Sequence, residues 1–255
     1  MSNTSGQFVW YDLMTPDVDA ASRFYTEIVG WGTQQWDGPA PYTMWTASGV
    51  PIGGVVPLTS EHAAAGVVPH WMTYVSVADV DGIIEKAKSK GATVVAEPRD
   101  IPDTGRFAVI RDPQGALIAV YKPVNDSPIG EPGIGQFSWH ELLTTDHVAA
   151  FEFYSDMFGW EKTSEMDMGG TMGIYQMFGQ NEIPYGGMMN KGPDNPMPPN
   201  WLLYVRVEDL HKAVDKVKQL GGQILFGPME VPGGDEVATA VDPQGTAFGL
   251  HQRKS

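Results

Sequence analysis

Two octets, WYDLMTPD at residues 10–17 and WHELLTTD at 139–146, each set a tryptophan two places before a carboxylate. On an extended strand that spacing puts both side chains on one face, Trp10 with Asp12 and Trp139 with Glu141. An acid beside an indole can anchor a ligand by hydrogen bonds. With a pKa raised by burial it can instead move a proton next to a carbonyl. A structural role competes with both: inward Trp fills cores, and a buried Asp or Glu can accept bonds from Tyr, indole N–H or backbone groups. His140 falls on the opposite face from Glu141, so the two cannot chelate one ion unless a bulge intervenes.

Other chemistries are thinly supported. No Ser-His-Asp order, phosphate-cradling glycine loop or HExxH occurs along the chain. The absence of cysteine removes disulfides, a thiolate nucleophile and Cys-based metal sites. His62, His147 and His211 read as linker or helix-surface residues, and His70 precedes a strand. A net charge of −15 argues against nucleic acid or an anionic membrane as partner. With 255 residues, 42% hydrophobic, the chain is long and apolar enough for ordinary globular cores. The start MSNTSGQF lacks a basic and then apolar leader, and no apolar run reaches spanning length, so a cytoplasmic protein is expected.

The elements that must carry these residues come from a duplication. A slide of 129 residues superposes WYDLMTPDVDAASRFYTEIVGW on WHELLTTDHVAAFEFYSDMFGW with ten identities in 22 positions. A slide of 130 superposes residues 69–98 on 199–228, and RDPQG (111–115) on VDPQG (241–245). The expected division is a first domain over 1–122, a Pro/Gly-rich linker PVNDSPIGEPG over 123–133, and a second domain over 134–255. Each copy divides again. FVWYDLM reads as a strand running into a helix that starts near Asp17, buries Ala21, Phe24, Tyr25 and Ile28, and stops at Gly30. MTYVSV, DVDGIIEKAKSKGA and FAVIRDPQGALIAVY repeat the order, with DPQG as a turn between strands. The chain reads as α+β, built from four βαβββ modules. A pair of ferredoxin-like domains is the alternative, and the extra hairpin in each module fits it poorly.

This pattern resembles the vicinal oxygen chelate superfamily of glyoxalases, bleomycin resistance proteins and extradiol dioxygenases, and in particular its bacterial tandem-domain members. The resemblance rests on Asp17, Phe24, Tyr25 and Gly30, repeated at Asp146, Phe153, Tyr154 and Gly159, and on the two DPQG turns. It implies that paired modules form a curved sheet around a cup, with helices outside. It also implies where metal ligands would stand in metal-using members: Trp10, Met72 and Ala119 in the first copy, Trp139, Leu202 and Gly249 in the second. None of these is a metal donor, so neither a metal nor any other cofactor is expected.

If the family's ligand position points into the cup, alternation puts Trp10, Asp12, Met72, Tyr74 and Tyr121 inside the first cup. Trp139, Glu141, Leu202, Tyr204 and His251 would face the second. Such a pocket, mainly apolar with a few polar groups, suits a hydrophobic or aromatic small molecule. The Met-rich stretch 166–178 could give an adaptable wall. Two functions stay open. One is a protein that binds and sequesters such a molecule. The other is an enzyme, either a glyoxalase-like lyase or isomerase or a metal-independent acid–base catalyst using Glu141 or Asp12, with His251 as partner. Four modules in one chain also imply a monomer or weak homodimer, since single-copy relatives complete their cups by dimerising.

Overall fold

The computed structural model describes residues 4–38, 41–64, 66–125, 129–170, 172–192, 195 and 197–254. The first module runs β1 (Phe8–Thr15), α1 (Val18–Val29), β2 (Gly32–Gln35), β3 (Thr43–Ala47) and β4 (Val50–Pro57). A short α2 (Ser60–Ala64) follows. The second module is β5 (His70–Ser76), α3 (Val80–Ser89), β6 (Thr93–Ile101), β7 (Gly105–Arg111) and β8 (Leu117–Pro123). The third is β9 (Phe137–Thr144), α4 (His147–Phe158), β10 (Glu161–Asp167), β11 (Ile174–Gln180) and β12 (Ile183–Asn190). The fourth is β13 (Asn200–Arg206), α5 (Leu210–Gln219), β14 (Gln223–Glu230), β15 (Glu236–Val241) and β16 (Ala247–Gln252). Four βαβββ modules are therefore present, and the ferredoxin-like alternative is set aside. Helix α2 was not expected; Thr59 starts it by accepting the His62 N–H at its hydroxyl. Of the linker, residues 126–128 lie outside the described residues.

The module helices start and stop by one chemistry. Asp17, Asp79, Asp146 and Asp209 are extended N-caps whose carboxylates accept first-turn amides, as in Ala20 N to Asp17 at 2.9 Å. Gly30 and Gly159 end α1 and α4 with φ of 74° and 70°, the left-handed cap that only glycine adopts cheaply. The strands form two sheets that do not close, ordered β2-β3-β4-β1-β5-β8-β7-β6 and β10-β11-β12-β9-β13-β16-β15-β14. No helix among the described residues is long and apolar enough to cross a membrane.

The chain divides into two compact units. One contains Met72–Gly130 and Trp139–Trp201, and the other Tyr11–Trp71 and Leu202–Ser255. Each unit thus takes modules from both copies, and the FY and DPQG motifs meet inside it. In one, Tyr154 donates its hydroxyl proton to Asp112 at 2.8 Å. The other Asp112 oxygen accepts the amides of Gln114, Gly115 and Ala116. In the other unit Tyr25 donates to Asp242 at 3.2 Å, and Asp242 accepts the amides of Gln244 and Thr246. Both tyrosines are wholly buried among tryptophans: Tyr25 beside Trp31, Trp45 and Trp71, and Tyr154 beside Trp160 and Trp201. Burial and the neighbouring carboxylate push both phenols well up, so they remain donors.

Candidate functional site

The carboxylates of the two octets each receive a tyrosine hydroxyl. Asp12, almost fully buried, accepts from Tyr42. In the second copy the string is longer: Trp139 Nε1 donates to the Tyr175 hydroxyl at 2.7 Å, and Tyr175 donates to Glu141 Oε2 at 3.1 Å. Trp10, Trp139 and Glu141 are half-buried. The glycine pairs of GGVV and GGMM make room for the rings. Gly54 lies opposite Asp12 in the parallel β1–β4 register, and a Cβ there would sit 2.0 Å from the Tyr42 oxygen. Gly187, opposite Glu141, would put its Cβ 2.1 Å from the Tyr175 ring. Tyr42 and Tyr175 escaped the sequence reading, although both are strand-edge tyrosines one residue before, or inside, the matched hairpins.

The second module's inner face is filled by its own side chains. Met72, Phe107, Val109 and Ala119 form a buried cluster against which Tyr74, Leu117 and Tyr121 pack. The Arg99 guanidinium covers Phe107, 4.6 Å from its centroid. Tyr121 donates its hydroxyl to the Thr104 carbonyl at 2.8 Å, and burial pushes that phenol up to about 12.

The fourth module puts smaller groups at the matched places. By strand register, Phe107 beside Tyr121 becomes Val237 beside His251, and Val109 beside Ala119 becomes Thr239 beside Gly249. Val237 and Thr239 are only half-buried, whereas Phe107 is 7% and Val109 8% exposed. Leu202 and Tyr204 are buried at the base, and Phe226, next to Thr239, stands 54% exposed.

His251 has two partners. Its Nε2 lies 2.9 Å from Asp235 Oδ2 and its Nδ1 lies 2.8 Å from Ser138 Oγ. A Ser-His-Asp arrangement therefore exists in space though no such order occurs along the chain; Asp235 and Ser138 were missed. His140 stays on the face away from Glu141. It stacks on Phe8 with centroids 3.7 Å apart, and its Nδ1 is 2.8 Å from the Tyr185 carbonyl. Burial lowers its pKa to about 4, so it is neutral at physiological pH.

A metal does not fit the family's ligand positions. Ala119 is sealed inside the Met72–Phe107–Val109 cluster. A side chain at Gly249 would collide with the Tyr204 ring, 2.3 Å from its Cβ. Trp10, Met72, Trp139 and Leu202 offer no donor. Among the described residues no three His, Asp or Glu side chains gather as a metal site.

Known proteins share this architecture. A relative from Mycobacterium tuberculosis named "Putative glyoxylase CFP32" is 32% identical over 94% of this chain and 92% of its own. Anthracycline biosynthesis protein DauV of Streptomyces sp. (strain C5) is 27% identical over 96% of this chain and 92% of its own. The Mn(II)-bound glyoxalase from Novosphingobium aromaticivorans has the same fold, with a TM-score of 0.67 at 17% identity, covering 100% of this chain and 84% of that one. The family model of the Glyoxalase/Bleomycin resistance protein/Dioxygenase superfamily matches residues 7–120 and again 133–250, and the chain belongs to that superfamily.

Proposed function

We propose that the protein binds and sequesters an aromatic or otherwise apolar small molecule, without a metal at the family's ligand positions, and that the second copy carries the recognition. The Trp139–Tyr175–Glu141 string is the observation behind this reading. An indole supplies flat contact area, and a carboxylate already supported by a phenol fixes a polar group of the ligand without having to be built on binding. The relative named for anthracycline biosynthesis supports an aromatic ligand. The resting protein is a monomer or weak homodimer in this reading.

A second reading has its own support in the relative named as a glyoxylase. In it Glu141 or Asp12 takes a proton next to a carbonyl of an α-dicarbonyl adduct. Tryptophan fluorescence titration against anthraquinones and α-dicarbonyls separates the two. For a binder, Trp139→Ala weakens anthraquinone affinity by about 10- to 100-fold and Glu141→Gln by about 10-fold, the range of an aromatic anchor and a charged hydrogen bond. Trp10→Ala and Asp12→Asn then change little. Turnover of a dicarbonyl that Glu141→Gln abolishes without loss of binding would establish the catalytic reading instead. Anthraquinone binding indifferent to both second-copy substitutions would sink the first.

A further inference from the structure

The Ser138–His251–Asp235 constellation exists only in the second copy. The matched residues of the first are Val9, Tyr121 and Gly105. There the same strands form around a phenol that reaches the Thr104 carbonyl. The fold therefore does not require a serine, an imidazole and a carboxylate at these places. Gly105 could not become Asp beneath Tyr121, because its Cβ would lie 2.5 Å from that ring. The shorter imidazole of His251 leaves the space that Asp235 occupies.

The hydrogen bonds suit one direction of proton movement. In the neutral tautomer that donates from Nε2 to Asp235 Oδ2, His251 Nδ1 has a lone pair. Ser138 Oγ is 2.8 Å away, placed to donate to it. Its other acceptor, the Tyr204 carbonyl, is farther at 3.4 Å. Asp235 is itself held by the Lys254 amide at 2.9 Å. All three groups reach solvent: the His251 and Asp235 side chains are 16% and 31% exposed, and Ser138 is half-buried. Arg206, paired with His251 in the β13–β16 register, keeps a buried Nε–H without a partner while its Nη1 donates to the Pro132 carbonyl at 2.6 Å.

We propose that Ser138 is a nucleophile activated by His251 and oriented through Asp235, reacting with small carboxylic esters. Ser138 Oγ bonds to the ester carbonyl carbon as its proton passes to His251 Nδ1. The carbonyl–alkoxy bond then breaks, His251 returns the proton to the leaving alcohol, and water hydrolyses the acyl-serine by the same steps in reverse. Arg206, whose Nε–H has no partner and which pairs with His251 in the strand register, is the donor proposed for the negative charge of the tetrahedral adduct. This role is independent of the ligand reading above, since none of Trp139, Tyr175 or Glu141 takes part.

The test treats the full chain with a fluorophosphonate and, separately, with p-nitrophenyl acetate, and locates adducts by peptide mass spectrometry. The expected result is one phosphonyl group, on Ser138, absent in Ser138→Val. Labelling should slow by about 10²-fold or more in His251→Gln, and by a smaller factor in Asp235→Asn. The Val replacement is one the first copy already folds with, at Val9, and circular dichroism checks each variant. An unlabelled Ser138, or one labelled equally fast in folded His251→Gln, overturns the proposal.

Discussion

In the first copy Tyr121 closes onto the Thr104 carbonyl above a packed floor of Met72, Phe107 and Val109. At the matched place of the second copy His251 stands between Ser138 and Asp235, beside Val237 and Thr239. A duplicated fold has thus kept its frame and changed what its inner faces can do. The frame is held by groups that cannot vary without cost, buried Asp–Tyr pairs and helix caps. The inner faces carry side chains that differ between the copies on the same strands. One copy fills its second-module face with apolar side chains, and the other places His251 and Asp235 there beside half-buried Val237 and Thr239.

The comparison breaks most severely at the frame, where the copies should behave alike. Asp112→Ala strands the Tyr154 hydroxyl and the Gln114 and Ala116 amides, Gly115 keeping the Asp112 backbone carbonyl, and Asp242→Ala strands Tyr25 and the Gln244 and Thr246 amides. Each should cost about 3 kcal/mol or more in urea unfolding, since a buried partner is left unsatisfied. Asp112→Ala should cost the more, its tyrosine bond being 2.8 Å against 3.2 Å. If either is nearly silent, the DPQG turn is not what fastens the helix to the sheet.

A second prediction concerns acid. The matched residues Tyr11 and His140 both stack on a phenylalanine, Phe137 at 3.9 Å and Phe8 at 3.7 Å. Burial raises the Tyr11 phenol, so it stays neutral at every accessible pH. Folded His140 gains its proton only near pH 4, whereas an unfolded imidazole gains one near 6.5. Between those values the unfolded chain binds the additional proton, so stability falls as pH drops through the window. The loss reaches the order of 3 kcal/mol by pH 4. His140→Phe keeps a stacked ring and should flatten that limb. Urea midpoints at pH 7.5, 5.5 and 4.5 measure it, and parallel losses in both proteins would move the cause elsewhere.

Much of this was legible before any coordinates. The Asp caps, the Gly30 stop and the DPQG turns are local signals, and the repeat multiplied each of them. Strand alternation placed Asp12 and Glu141 correctly relative to Tyr11 and His140. The partners of those carboxylates were not legible. Tyr42 and Tyr175 are 133 residues apart, not 129 or 130, because the stretch from Trp160 to Tyr175 is four residues longer than that from Trp31 to Tyr42, β10 having 7 residues where β2 has 4. Sliding the chain at a fixed offset hides them. Ser138 and His251 come from strands separated by β13, and sequence does not say which strands flank it. The partner of the Asp112 turn was equally hidden: Tyr154 belongs to the other copy, and only the unit that joins them shows the contact.

The smallest expected effect is at Tyr121, and it bears on how inert the first face is. Tyr121→Phe removes one hydrogen bond, to Thr104, and leaves the ring packed against Tyr74, whose centroid is 6.4 Å away. Thr104 is half-buried, so water can reach its carbonyl in place of the phenol. The loss should be about 1 kcal/mol or less, the net worth of a replaceable hydrogen bond. Gly105→Ala at the same spot should cost far more, because its Cβ would meet the Lys122 carbonyl at 2.4 Å as well as the ring. Equal and large losses in the two variants would mean the phenol pins the β6–β7 turn. The first copy's polar ring would then be part of the frame, and only the second copy would have an inner face that is free to change.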